Sequence, residues 1–142
     1  MLRSMVSDAE PSQSELVNLV SLMPFAASLG IELGEASKER VAGSMAWTSD
    51  RCTAGGILHG GALMALADSI GAVCAFLNLP EGATTSTIES KTNFFRGVGS
   101  GSVRATAHPV HVGGRTIVIQ TELRDDDDKL AALVTQTQAV LR

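Results

Sequence analysis

The chain has 142 residues and a formal net charge of −4, a length that suits one hydrophobic core. Hydrophobic residues make up 44% and charged residues 18%, too apolar and too weakly charged a mixture for an intrinsically disordered chain. Lys and Arg are scattered singly, which excludes the basic patch that nucleic acid requires, and no charge-free apolar run of about 18 residues is present to cross a membrane.

Residues 1–11 are expected to form a flexible leader, and residues 12–142 a single domain. Arg3, Asp8 and Glu10 stand where a signal peptide would need an apolar run. Ser12 and Glu15 have capping-box spacing ahead of Leu16, Leu19, Val20 and Met23, which predicts a short amphipathic helix ended by Pro24. From Ile31 the period changes to two. Val41, Gly43, Met45 and Trp47 alternate with Arg40, Ala42, Ser44 and Thr48, which predicts a hairpin with residues 31–35 across a turn at Ser37-Lys38.

Residues 49–58 are polar and Gly-containing. His59 then opens a run in which Leu63, Leu66, Ile70, Val73 and Leu77 recur at helical spacing. Its remaining positions are largely Gly and Ala, so this long helix is expected to be buried on every side. Beyond Pro80 four strands are predicted, over 84–95, 101–112, 115–123 and 129–141. The separators 97–100, 113–114 and 125–128 are turn-sized, which suggests an antiparallel meander. An apolar helix of this kind must be wrapped, and one antiparallel sheet curled around it gives an α+β domain whose open edges dimerisation would cover.

Gly56-Ile57-Leu58-His59-Gly60-Gly61, running into Ala62 to Ser69 with Asp68 near its end, together with Thr87 to Arg96 after the helix, resembles the hotdog-fold acyl-CoA thioesterases of the phenylacetate-pathway type. The resemblance covers about residues 25 to 142. It implies a curled sheet around a central helix, an acyl-CoA substrate, no cofactor, and a homodimer that pairs into a homotetramer as a dimer of dimers.

Asp68 is the only formally charged side chain between Arg51 and Glu81. An unpaired carboxylate in such a helix is costly unless it has partners or a use. Either it is tied to backbone N–H groups or a buried Arg to fix the packing, or it does chemistry. His59 and Gly60 stand at the helix start, where N–H groups lack internal acceptors and carry partial positive charge. Glycine at 60 and 61 would let a substrate reach that backbone, and the His59 imidazole either joins the site or caps its own turn. At ~1.5 Å per residue, His59 and Asp68 lie roughly 13 Å apart along one helix. To act on one carbonyl they must therefore come from two antiparallel helices across a twofold axis. The resemblance implies the same arrangement, with a glycine N–H of one protomer meeting the acid of its partner.

The expected reaction is hydrolysis of an acyl thioester. The Gly60 N–H would hold the developing oxyanion, and Asp68 would act as nucleophile or as the base that activates water. By resemblance Thr87, or Ser86 in a shifted alignment, supplies a hydroxyl that places water, unless it is an ordinary strand residue. Thr53 stands where the family often has Asn or Gln, six positions before the His. His111, Gly113, Gly114, Arg115 and Thr116 match a strand turn where the family binds the pantetheine arm and the nucleotide phosphates of coenzyme A. Arg115 suits a phosphate.

His108 and His111 are expected on opposite faces of a strand, so no metal site is expected. Asp125 to Asp128 reads as a solvated hairpin tip, and 97–101 as a turn without the helix a dinucleotide fingerprint needs. Cys52 and Cys74 form no disulfide framework, and a reducing cytoplasm is the expected location. Two other functions fit such a chain: a module that binds acyl-CoA without cleaving it, and a dehydratase of 3-hydroxyacyl thioesters, whose Pro-rich loop and helix Glu are missing.

Overall fold

The structure, a computed structural model, describes residues 9–142, and the first eight residues of the expected leader lie outside them. Helix α1 (Gln13–Ser21) starts at Ser12 with the expected capping box: the Glu15 N–H donates to the Ser12 hydroxyl, and the Ser12 N–H donates back to the Glu15 carboxylate at 2.7 Å. Hydrogen bonds from Ser12 hold the Glu15 carboxyl below its ordinary value. Pro24 does more than end α1. It sits in the first turn of a second short helix, α2 (Pro24–Ser28), where its missing N–H leaves no helix bond unmade.

Strands β1 (Glu32–Ala36) and β2 (Val41–Ala46) form the expected hairpin, with Val41, Gly43 and Met45 facing inward. A Cβ on Gly43 would stand 2.5 Å from the Ile70 side chain, so glycine lets the central helix lie close to the sheet. That helix is α3 (Gly60–Leu77), followed by β3 (Thr84–Phe94), β4 (Ser102–Val112), β5 (Thr116–Arg124) and β6 (Leu130–Leu141). Six strands make one antiparallel sheet in the order β1-β2-β4-β5-β6-β3.

This order corrects the expected meander, because β3 pairs with β6 at the far edge and β4 pairs with β2. Helix α3 crosses the sheet face and delivers the chain beyond β6. Strands β3 and β4 are then three strand intervals apart, about 14 Å at the usual spacing, which no tight hairpin turn spans. Residues 95–101 make the return. Buried Val98 accepts the Leu58 N–H at 2.9 Å, and Gly101 closes the segment with φ +68. The glycines of this segment do mark a reversal, but turn chemistry does not say which strands a reversal joins.

Leu63, Leu66, Ile70 and Cys74 of α3 pack on the inner face of the sheet, where β4 offers Val103, Ala105 and Ala107 and β5 offers Ile117, Ile119 and Leu123. Burial pushes the Cys74 thiol up to about 12. The helix is not covered all round, however: Gly61, Met64 and Asp68 are exposed, and Ala65, Ser69 and Ala72 are half-buried. A single sheet covers one side of a cylinder, and these positions form the stripe it leaves open. Over its 18 residues α3 is long and apolar enough to cross a membrane, but half of it is buried inside this fold.

At the β5–β6 hairpin the acidic run is occupied locally. Asp125 accepts two backbone N–H groups, Asp126 binds Ser102, and Asp128 pairs with Arg104 at 2.7 Å.

Candidate active site

A wired loop sets the start of α3. The Trp47 indole N–H donates to the Gly56 carbonyl at 3.0 Å, the Arg51 guanidinium to the Ala46 carbonyl at 2.7 Å, and the His59 N–H to the Arg51 carbonyl at 2.9 Å. Gly55 and Gly56 take φ of +99 and +76, backbone that side chains other than glycine adopt with strain. The His59 side chain caps its own helix: its Nδ1 accepts the Gly61 N–H at 2.8 Å. The N–H groups of Ala62 and Leu63 are bonded to the His59 carbonyl. This leaves the Gly60 N–H as a first-turn donor without an acceptor among the described residues, aligned with the positive end of the helix dipole.

The room made by the two glycines is partly taken from within the chain. A Cβ on Gly60 would stand 3.1 Å from the Phe94 ring, and one on Gly61 2.9 Å from the His59 ring. Phe94 itself is 51% exposed, so its ring covers the helix start from the surface.

Asp68 lies in the open stripe of α3, not in the buried setting its apolar neighbours suggested. Among the described residues neither backbone N–H groups nor an Arg hold it. The Thr87 hydroxyl donates to its Oδ1 at 3.2 Å, and the Gln136 side-chain N–H donates to the same oxygen at 3.0 Å. Gln138 in turn donates to the Thr87 hydroxyl at 2.8 Å, and the Thr85 hydroxyl lies 3.1 Å from the Gln138 carbonyl oxygen. Of the two hydroxyls considered from the sequence, Thr87 is the one that reaches Asp68. A register shift in β3 between Thr87 and Glu89 accompanies it and leaves Ile88 63% exposed beside the site.

Gln136 and Gln138 were not among the expected site residues. Both are buried on the inner face of β6, in phase with Ala132 and Val134. They alternate with Thr135 and Thr137, so both phases of the strand are polar there and the sequence carries no signal that marks them as inward.

Thr53 sits in the loop before α3, its N–H bonded to the Ile57 carbonyl at 2.9 Å, and it makes no hydrogen bond to Asp68, Thr87 or Gly60. The turn between β4 and β5 is closed by the Gly113 N–H on the Thr116 carbonyl at 2.9 Å. Gly113 also makes room for the His111 ring, whose Nε2 would lie 2.6 Å from a Cβ there. His111, Gly114 and Arg115 are exposed, and the Arg115 guanidinium has no ion pair among the described residues. Thr116 and Ser86 both pair with Ala139, which puts this turn and Thr87 at one end of the sheet, two strand intervals or about 10 Å apart. His108 lies against the Glu39 carbonyl at 3.2 Å. No group of three or more His, Cys, Asp or Glu able to hold a metal occurs among the described residues.

Comparison with known proteins places the chain in a family. A model of the thioesterase superfamily matches residues 55–132, the stretch from the loop before α3 into β6. A solved thioesterase, HI1161 from Haemophilus influenzae, is 32% identical and superposes with a TM-score of 0.84, over 89% of this chain and 90% of that one. A mutant form of thioesterase PA1618 from Pseudomonas aeruginosa is 31% identical with a TM-score of 0.84, over 89% and 93% of the two chains. A 1,4-dihydroxy-2-naphthoyl-CoA hydrolase of Escherichia coli is 36% identical over 86 residues, 61% of this chain and 63% of that protein.

Proposed function

This chain belongs to the thioesterase superfamily, and we propose that it hydrolyses an acyl-CoA thioester at a site shared by two protomers, in the manner of the phenylacetate-pathway type. The observation that carries the proposal is the open stripe of α3, which presents Asp68 to the outside beside the exposed β3 edge. Its reactive partner in the same chain, the Gly60 N–H, is about 12 Å away along the helix axis at the usual rise. A second copy related by a twofold axis, with its α3 antiparallel against this stripe and its β3 edge beside Ile88, brings the Gly60 of one protomer to the Asp68 of the other. It also covers Met64 and the unpaired N–H and C=O groups of the edge.

In that geometry the thioester carbonyl accepts the Gly60 N–H and draws on the helix dipole as negative charge develops on its oxygen. Asp68 then acts in one of two ways. As nucleophile its carboxylate attacks the carbonyl carbon, the C–S bond breaks, the CoA thiolate takes a proton, and water cleaves the resulting anhydride. As base it removes a proton from water, which attacks the same carbon and expels the thiol. Thr87 orients the carboxylate in either case. Arg115, with His111 and the Gly113-Gly114 turn, offers a cation and exposed backbone at the same end of the sheet, fit for CoA phosphates and the pantetheine arm. Gly61 lies with Gly60 on the substrate side of the helix start, and Thr53 lines the loop before it.

The naphthoyl-CoA hydrolase among the relatives supports a CoA thioester as substrate. We place the activity in the cytoplasm, as one folded domain over residues 12–142 that works as a dimer and pairs into a tetramer. Turnover of the purified protein on a panel of aryl, short-chain and long-chain acyl-CoAs, with light scattering on the same sample, tests both claims. Release of free CoA by a dimer or tetramer is expected. Binding without release would leave an acyl-CoA binding module instead.

A further inference from the structure

We propose that Gln136 is a positioning residue for Asp68, holding Oδ1 so that Oδ2 is the oxygen that meets the carbonyl or the attacking water; this rests on the reading of Asp68 as nucleophile or base. Gln136 is fully buried on the inner face of β6, opposite Ile119 and in phase with the apolar Ala132 and Val134. Its Nε2 donates to Asp68 at 3.0 Å, while its Oε1 is buried with no hydrogen-bond partner among the described residues. The amide cannot be turned to exchange these roles, since an ionised carboxylate only accepts and Nε2 must face it. A buried acceptor left unmet costs stability. A Leu or Met would fill the same space without that cost.

A second costly choice lies directly opposite. Gly71 stands one turn after Asp68, in the middle of α3, where glycine weakens a helix relative to alanine. A Cβ there would run into the Gln136 amide oxygen. Gly71 therefore makes the room that lets the amide reach Asp68. One hydrogen bond accounts for both unfavourable residues, and it leaves Asp68 Oδ1 fixed by donors from two strands while no described residue donates to Oδ2.

Gln136→Met keeps the volume and removes only this bond and the unmet acceptor. Its kcat is expected to fall roughly tenfold or more, the scale for a hydrogen bond to a charged group, with KM little changed and melting temperature equal or higher. Gly71→Ala is expected to reproduce the loss of kcat, and the double variant to lose less than the product of the two. Wild-type kcat in Gln136→Met, or a loss that follows the fraction of folded dimer, overturns the proposal. Asp68→Asn, run in parallel, separates the two readings. If it is inactive while Gln136→Met is fully active, only the positioning role falls; if it turns over like wild type, the role of Asp68 falls and the positioning role with it.

Discussion

On its inner face α3 sets Leu66, Ile70 and Cys74 against the sheet with no solvent exposure, whereas its outer face leaves Gly61, Met64 and Asp68 open. Both faces come from one apolar run, and hydropathy does not tell them apart. What differs is what each must match. The inner positions meet a sheet within the same chain, so their sizes are set by packing: Ile70 lies where Gly43 makes room, and the inward residues of β4 include two alanines. The outer positions have no sheet of the described residues packed over them, and Asp68 is held from the side by Thr87 and Gln136. Apart from Met64 these positions keep small side chains and one carboxylate, the composition of a surface that another helix and a substrate can approach. Substitutions on the two faces should therefore fail in different ways.

The largest effect is expected from Asp68→Asn, which keeps the shape of the side chain and removes its charge and most of its basicity. Loss of a positioned base or nucleophile should lower kcat by at least ~10²-fold. Because Asp68 packs no core, melting temperature should stay near wild type. A variant that melts early yet turns over normally per folded dimer would return Asp68 to a packing role.

Leu66→Ala, on the inner face, should show the reverse. Removing a fully buried leucine is expected to cost ~2–5 kcal/mol of stability, read from denaturant unfolding. Turnover per folded dimer should change little. Equal losses of stability and of turnover per folded dimer would mean that the two faces are coupled and the contrast between them is wrong.

The expectations that held in the structure are those that rest on local patterning. The capping box of α1, the hairpin of β1 and β2 and the extent of α3 follow from residue spacing along one element. Asp68 was visible because a lone charge in an apolar run stands out. The partner of β3 was not visible, since alternation reports which face of a strand is buried and not which strand lies beside it. Gln136 and Gln138 were hidden for a related reason: in Thr135-Gln136-Thr137-Gln138 both phases of the strand are polar, so no contrast marks the inward side. Full burial of α3 does not follow from its apolar run, because one sheet covers one side of a helix and hydropathy does not say which positions it leaves open.

Arg115→Ala tests the far end of the site with a smaller effect. A phosphate contact distant from the carbonyl is mostly uniform binding, so KM for CoA thioesters should rise several-fold with kcat nearly kept. A short pantetheine thioester should be hydrolysed as before. If it suffers equally, Arg115 serves the turn and not the nucleotide.

The smallest effect concerns Cys74 and pH. Burial holds its thiol at about 12 in the fold, against an ordinary value of 9.0. Between these values the unfolded chain releases a proton that the folded chain keeps. This contribution to stability is therefore complete below pH 9 and is lost as pH rises toward 12. Urea midpoints across that range should decline less steeply in Cys74→Ala, and an identical decline would assign alkaline loss to other groups.

The central claim, that each site takes Gly60 from one protomer and Asp68 from its partner, is tested most directly by mixing two inactive variants. Gly60→Pro removes the N–H at a helix position where proline is tolerated, and Asp68→Asn removes the carboxylate. Each variant alone should be nearly inactive and dimeric. After unfolding and refolding together, half of the dimers are mixed and each carries one intact site, so about a quarter of wild-type activity should return. No recovery from a sample shown to contain mixed dimers would place both groups of each site on a single chain and contradict the account.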